Sequence, residues 1–179
     1  MVLLSAAANC QITAQWRGEE RDGEYRDGKV YITAGYNHPG AMFRISGKAD
    51  AVTMVWKDTV LDCHYGGVVL VGECIYGSNW IDNSRGNWCC LDWNTGKVNY
   101  VQNWNTKGSI ITAGVMLYCF EEKNGNMGLV KATPEKFEPV SSFKTPMGKG
   151  PCWAHPSIQG HYLFIRHGEV VMAYNISAN

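Results

Sequence analysis

Long apolar runs are missing from this 179-residue chain. None approaches the roughly eighteen residues that carry a helix across a bilayer, so no helical membrane span is expected. Net charge is missing too, because sixteen basic and sixteen acidic residues cancel. That removes the electrostatic case for nucleic acid or an anionic membrane as a partner. No Cys-x-x-Cys pair occurs, which excludes a zinc ribbon and a thioredoxin-type redox motif. Gly-x-Ser-x-Gly, Walker, Gly-x-Gly-x-x-Gly and His-Glu-x-x-His patterns are also absent, so the familiar hydrolase, nucleotide and zinc-protease templates do not apply. Nor does any stretch of about ten residues carry helical periodicity.

What remains is a globular composition, 45% hydrophobic and only 18% charged. Seven tryptophans, nine tyrosines and twenty glycines suit a sheet protein with many turns. The seven cysteines are odd in number, so at least one thiol is unpaired or pairs between chains. Cys63, Cys74, Cys89, Cys90, Cys119 and Cys152 fall within or beside apolar strand patterns, where a buried thiol acts as a small hydrophobe. Residues 1–11 hold a short apolar run and small residues without a basic start. They read as a signal-peptide remnant or as a plain N-terminus, and the first reading implies a secreted or periplasmic protein.

A four-strand unit recurs down the chain. Its clearest copy begins at Gly66 and runs through Gly-Glu-Cys-Ile-Tyr-Gly to Trp-Cys-Cys-Leu-Asp-Trp-Asn-Thr-Gly-Lys-Val. An apolar-aromatic step recurs at Val30-Tyr31, Ile75-Tyr76, Leu117-Tyr118 and Leu163-Phe164, every 42 to 46 residues. Short strands at that period are the mark of β-propeller blades. The expected fold is therefore all-β, a single domain over 12–179 made of four-stranded antiparallel blades. They are placed at about 29–64, 65–108, 109–151 and 152–179, three and a half to four in number. The last blade lacks its final strand, which Ile12–Trp16 could supply. Such a set is part of a ring or half of one closed by a homodimer.

The second blade, with Leu91, Asp92, Thr95, Gly96 and Lys97 in place, resembles the PQQ-like (quinoprotein alcohol dehydrogenase-like) propeller repeat. Tyr100 stands where that repeat usually carries a docking tryptophan. Gln15-Trp16-Arg17-Gly18 with Arg21-Asp22-Gly23 looks like the start of secreted bacterial members. Trp153-Ala154-His155-Pro156 through Tyr174-Asn175-Ile176 looks like their last blade. The resemblance covers most of residues 15–176. Rings of this group usually hold seven or eight blades in roughly 300–400 residues. An internal deletion or truncation, the preferred reading, accounts for the short chain; so does a natural half-ring that pairs with a copy of itself. The resemblance implies one of two functions. One is a non-catalytic binding or scaffold module for a protein or carbohydrate, comparable to the lipoprotein propeller of the outer-membrane barrel assembly machinery. The other is a relative of the quinoprotein dehydrogenases, which oxidise alcohols or sugars with pyrroloquinoline quinone (PQQ) and calcium. Their Glu-Asn-Asp calcium set cannot be mapped here, so no cofactor and no catalytic residue is assigned.

Candidate ligand residues are His64 and His155, each just before the innermost strand of a blade, where a propeller faces its channel or rim. Each imidazole either contacts a ligand or bonds a neighbouring blade's backbone. Trp153, Arg166 and His167 could extend that rim, with Arg166 suited to carboxylate or phosphate groups. Two histidines alone do not make a metal site. Asp92 to Gly96 is expected to be structural, its side chains bonding turn amides while Gly96 takes positive φ. A vicinal Cys89-Cys90 disulfide of the kind that packs on the quinone is not expected, because the flanks read as extended strand. Asp62, Cys63 and His64 put nucleophile and base types side by side, yet strand neighbours point apart.

Overall fold

Val68 and Val69, Ile75 and Tyr76, Cys89 and Cys90 are sequence neighbours on opposite faces of one sheet, and all six are buried. A strand that alternates apolar with apolar must be covered on both sides, so other sheets have to stack against it. The computed structural model describes residues 25–38 and 40–177, and among these every regular element is a strand. No helix among them is long and apolar enough to cross a membrane. The segment 1–11, the strand expected at Ile12–Trp16 and the Gln15 to Gly23 motifs lie outside the described residues.

The first sheet contains β1 (Tyr25–Arg26), β2 (Lys29–Ile32), β3 (Ala41–Ile45) and β4 (Val52–Lys57). The second holds β5 (Val68–Val71), β6 (Cys74–Ser78), β7 (Trp88–Asp92) and β8 (Val98–Gln102). The third holds β9 (Gly108–Ala113), β10 (Met116–Glu121), β11 (Asn126–Lys131) and β12 (Pro139–Lys144). The fourth has three strands, β13 (Ser157–Gln159), β14 (Tyr162–His167) and β15 (Val170–Asn175). Strands follow chain order in each sheet and every pairing is antiparallel.

Two strands begin ahead of the spans suggested by the sequence, β9 at Gly108 and β1 at Tyr25. The first sheet begins at Tyr25, in a stretch that the sequence reads as turn-rich loop. Asp27 (φ 53°) and Gly28 (φ 72°) form a two-residue hairpin turn that pairs Arg26 with Lys29 and Tyr25 with Val30. Asp-Gly is a strong hairpin signal, but β1 is too short to show alternation.

Three apolar cores separate the four sheets. Tyr31 and Met42 of the first meet Val68, Ile75, Cys89, Leu91 and Trp93. Val69, Tyr76, Cys90 and Tyr100 of the second meet Ile110, Leu117, Cys119 and Val130. Ile111, Phe120 and Met127 of the third meet Ile158, Leu163, Ile165 and Met172. Each large side chain so buried contributes roughly 1.5–3 kcal/mol. Tryptophans lock the first two seams. Trp56 lies against Gly96, where an added Cβ would fall 2.5 Å from its ring, and its Nε1 donates to the Trp93 carbonyl at 3.2 Å. Trp104 lies against Gly128 in the same way, at 2.9 Å. Tyr100 and Trp104 both belong to this second seam.

The first strands of the second and third sheets, β5 and β9, run close together. Gly66 and Gly108 permit this, since a Cβ on Gly66 would sit 2.0 Å from the Gly108 carbonyl oxygen. Ile110 N–H donates to the Gly66 carbonyl at 3.1 Å, and Ser78 Oγ donates to that of Gly108 at 2.8 Å.

Candidate functional site

Four connections bring their side chains together at the leading ends of these first strands. They are the β2–β3 loop, the β4–β5 link, the β6–β7 loop and the β12–β13 link. Asp62 organises two of them. Its buried carboxylate accepts the Asn37 N–H at Oδ2 and the Trp80 N–H at Oδ1, both at 3.1 Å. One side chain thus fixes the loops that carry Tyr36 and Trp80.

The β2–β3 loop is held in an unusual backbone conformation. Tyr36 (φ 65°) and Asn37 (φ 62°) are consecutive left-handed residues. Asn tolerates that region, whereas for a bulky residue such as tyrosine it costs on the order of 1–3 kcal/mol. Gly35 before them packs so close to His64 that a Cβ would lie 2.9 Å from its Cα. The strained turn aims the Tyr36 ring outward, 55% exposed, rather than into a core.

The result is an aromatic row. Trp80 and Tyr36 have ring centroids 5.1 Å apart, Tyr36 and His64 4.5 Å, His64 and Tyr65 5.1 Å, and Tyr65 and Trp153 5.8 Å. All meet edge-on or tilted, the favourable geometry for aromatic pairs. Trp153 closes the row and is 60% exposed. Beside Trp80 lies a cavity of about 270 Å³ walled by Asn37, His38, Thr59, Asp62 and Asn79. Beyond Trp153 a cleft of about 180 Å³ is shared with Arg166.

Of the five residues singled out in the sequence, His64 and Trp153 stand in the row itself. His155 lies behind it, its Nε2 2.9 Å from the Tyr65 carbonyl oxygen, and burial lowers its pKa. Arg166 lines the cleft beside Trp153 and donates Nε to the Gly168 carbonyl at 2.9 Å. His167 is elsewhere. It is buried, with Nε2 2.9 Å from the Gly150 carbonyl and Nδ1 3.3 Å from Thr145 Oγ1, and its ring packs on Gly148. Its contacts are those of a packing residue. Tyr36, Asp62, Tyr65 and Trp80 were not singled out as site residues. The available signal was an aromatic flanked by turn formers, Gly35-Tyr36-Asn37 and Asn79-Trp80, where a large ring has no core to enter.

Asp62, Cys63 and His64, adjacent in sequence, have different surroundings. Asp62 serves backbone amides, Cys63 Sγ lies 3.3 Å from the Gly67 carbonyl oxygen in the first core, and His64 stacks in the row. Cys89 faces the first core and Cys90 the second, so the pair does not form a vicinal disulfide. Burial also raises both thiols, Cys90 to about 12, which keeps them protonated. Among the described residues no three His, Cys, Asp or Glu side chains are grouped to hold a metal ion. The Asp92 turn has the expected form. Its Oδ1 accepts the N–H groups of Asn94 and Thr95 and the Thr95 hydroxyl, and Gly96 has φ 71°. No family model matches the chain, and no curated protein matches it.

Proposed function

We propose that the chain is a non-catalytic binding module built from PQQ-like propeller blades, with the row from Trp80 to Trp153 as its ligand surface. The observation that carries this is a succession of touching aromatic rings, with Tyr36, His64 and Trp153 exposed, on loops that a buried carboxylate and a strained turn hold in place. Rigid aromatics presented on a fixed scaffold are the usual material of binding surfaces. The blade reading is supported by four sheets in chain order, each packed on the next. It is supported also by His155, ninety residues from Tyr65, reaching its carbonyl. The connections of the second and fourth sheets therefore converge, as they do around a common centre.

Ring closure by a second copy belongs to the same proposal. Both terminal sheets carry apolar side chains on their outer faces. Ile32, Val52 and Met54 are exposed on the first, Tyr162 and Val171 on the fourth. Interior sheets of this molecule cover such faces with another sheet. Light scattering tests closure: a mass near twice 19.9 kDa is expected, and a monomer at every concentration overturns it. Catalysis is tested by adding PQQ and Ca²⁺ and following dye reduction with alcohols and sugars. Saturable turnover would reject the binding-module reading. Residence in a secreted or periplasmic space goes with this reading.

A further inference from the structure

We infer that the aromatic row binds a neutral oligosaccharide chain, an inference that rests on the binding-module reading and names its ligand class. A sugar ring offers a C–H face to an aromatic ring and a rim of hydroxyls to hydrogen-bonding groups. The site supplies both in one place. Five rings follow one another at centroid steps of 4.5 to 5.8 Å, and Tyr36, His64 and Trp153 among them are exposed. Beside them the cavity next to Trp80 is walled by amide, hydroxyl and carboxylate side chains of Asn37, Asn79, Thr59 and Asp62. Each Asp62 oxygen accepts one backbone N–H, which leaves lone-pair capacity for a ligand hydroxyl.

Charge argues the same way. Among the described residues Arg166 is the one cationic side chain lining the cleft, and the chain as a whole is neutral, whereas phosphate-bearing ligands need clusters of cations. Val60, Trp80 and Ile81 line the same cavity, so its polar groups stand beside apolar surface, the mixed character that a sugar's hydroxyl rim and C–H face both require. The left-handed Tyr36 supplies the final argument. Its strained backbone holds a ring that is more outside than in, so the strain secures presentation, not packing.

The test uses the purified full chain with cellohexaose, xylohexaose, maltohexaose, chitohexaose and a proline-rich decapeptide, followed by calorimetry and tryptophan fluorescence. At least one hexasaccharide is expected to bind saturably. Trp153→Ala and Tyr36→Asn should each weaken it roughly tenfold, the loss of one aromatic contact. Asparagine keeps the left-handed backbone while removing the ring. Val140→Thr, on an exposed strand away from the row, should bind as the parent does. Circular dichroism checks that each variant folds. Saturable sugar binding that both ring variants leave intact overturns the assignment. Peptide binding without sugar binding overturns the sugar and leaves a binding module; no binding of any probe overturns both.

Discussion

Lys107 and Glu122 form a buried ion pair, Nζ to Oε1 2.7 Å, each about 5% exposed. Burial drives both toward their neutral forms, Glu122 up to about 7 and Lys107 downward. The lysine also donates to the Asp82 carbonyl at 2.7 Å, so it ties the β6–β7 loop to the third sheet. Breaking a buried pair from one side strands the other charge. Lys107→Met should therefore cost about 3–5 kcal/mol in urea denaturation, and adding Glu122→Leu should recover most of it. His155 gives a pH dependence of definite sign. Its folded pKa lies below the usual 6.5, so the unfolded chain takes up the proton first as pH falls. Stability should be full above pH 6.5 and decline below it, towards the folded pKa. His155→Gln retains a donor for the Tyr65 carbonyl, and its denaturation midpoint should fall less on acidification. At this scale the sequence was half legible. His64 and His155 stood out by position before a strand and Trp153 as an extension of their rim, while Asp62 did not, because its work is done on two loops distant in sequence.

Glycines show how the elements constrain one another. Gly114 in the β9–β10 turn has φ 58° with open space where a Cβ would go. Gly114→Ala should cost only the backbone term, about 1 kcal/mol. Gly96 has φ 71° and Trp56 of the neighbouring sheet 2.5 Å from that same point. Gly96→Ala adds overpacking of about 1–3 kcal/mol to the backbone term, so its midpoint loss should be about two to four times larger. Equal losses would show that the Trp56 seam yields freely. Strands were legible because alternation is local: Cys89-Cys90 reads as extended, and the two thiols do face different cores. β1 was not, since two residues carry no period. The repeat's docking position is occupied by Tyr100, whereas Trp56 and Trp104 act across sheets from other positions, a relation no single repeat displays.

At the scale of the molecule, the proposed half-ring makes a demand that other assemblies do not. Two copies closing one ring put the first sheet of each against the fourth sheet of its partner, so the two seams are equivalent and each joins unlike faces. A charge on either face should open both seams. Met54→Lys, on the first sheet's exposed face, and Val171→Glu, on the fourth's, should each yield a monomer by light scattering. Mixed together they should dimerise again. In the mixed pair one seam brings the introduced lysine to the introduced glutamate, and the other retains both parental faces. Pairing of like faces, first sheet on first or fourth on fourth, predicts no such rescue, because every dimer through an altered face of one variant lacks the complementary charge or leaves it facing apolar surface. Recovery of a dimer only in the mixture therefore identifies unlike-face closure, and failure of the mixture to recover removes it even if the parent chain dimerises.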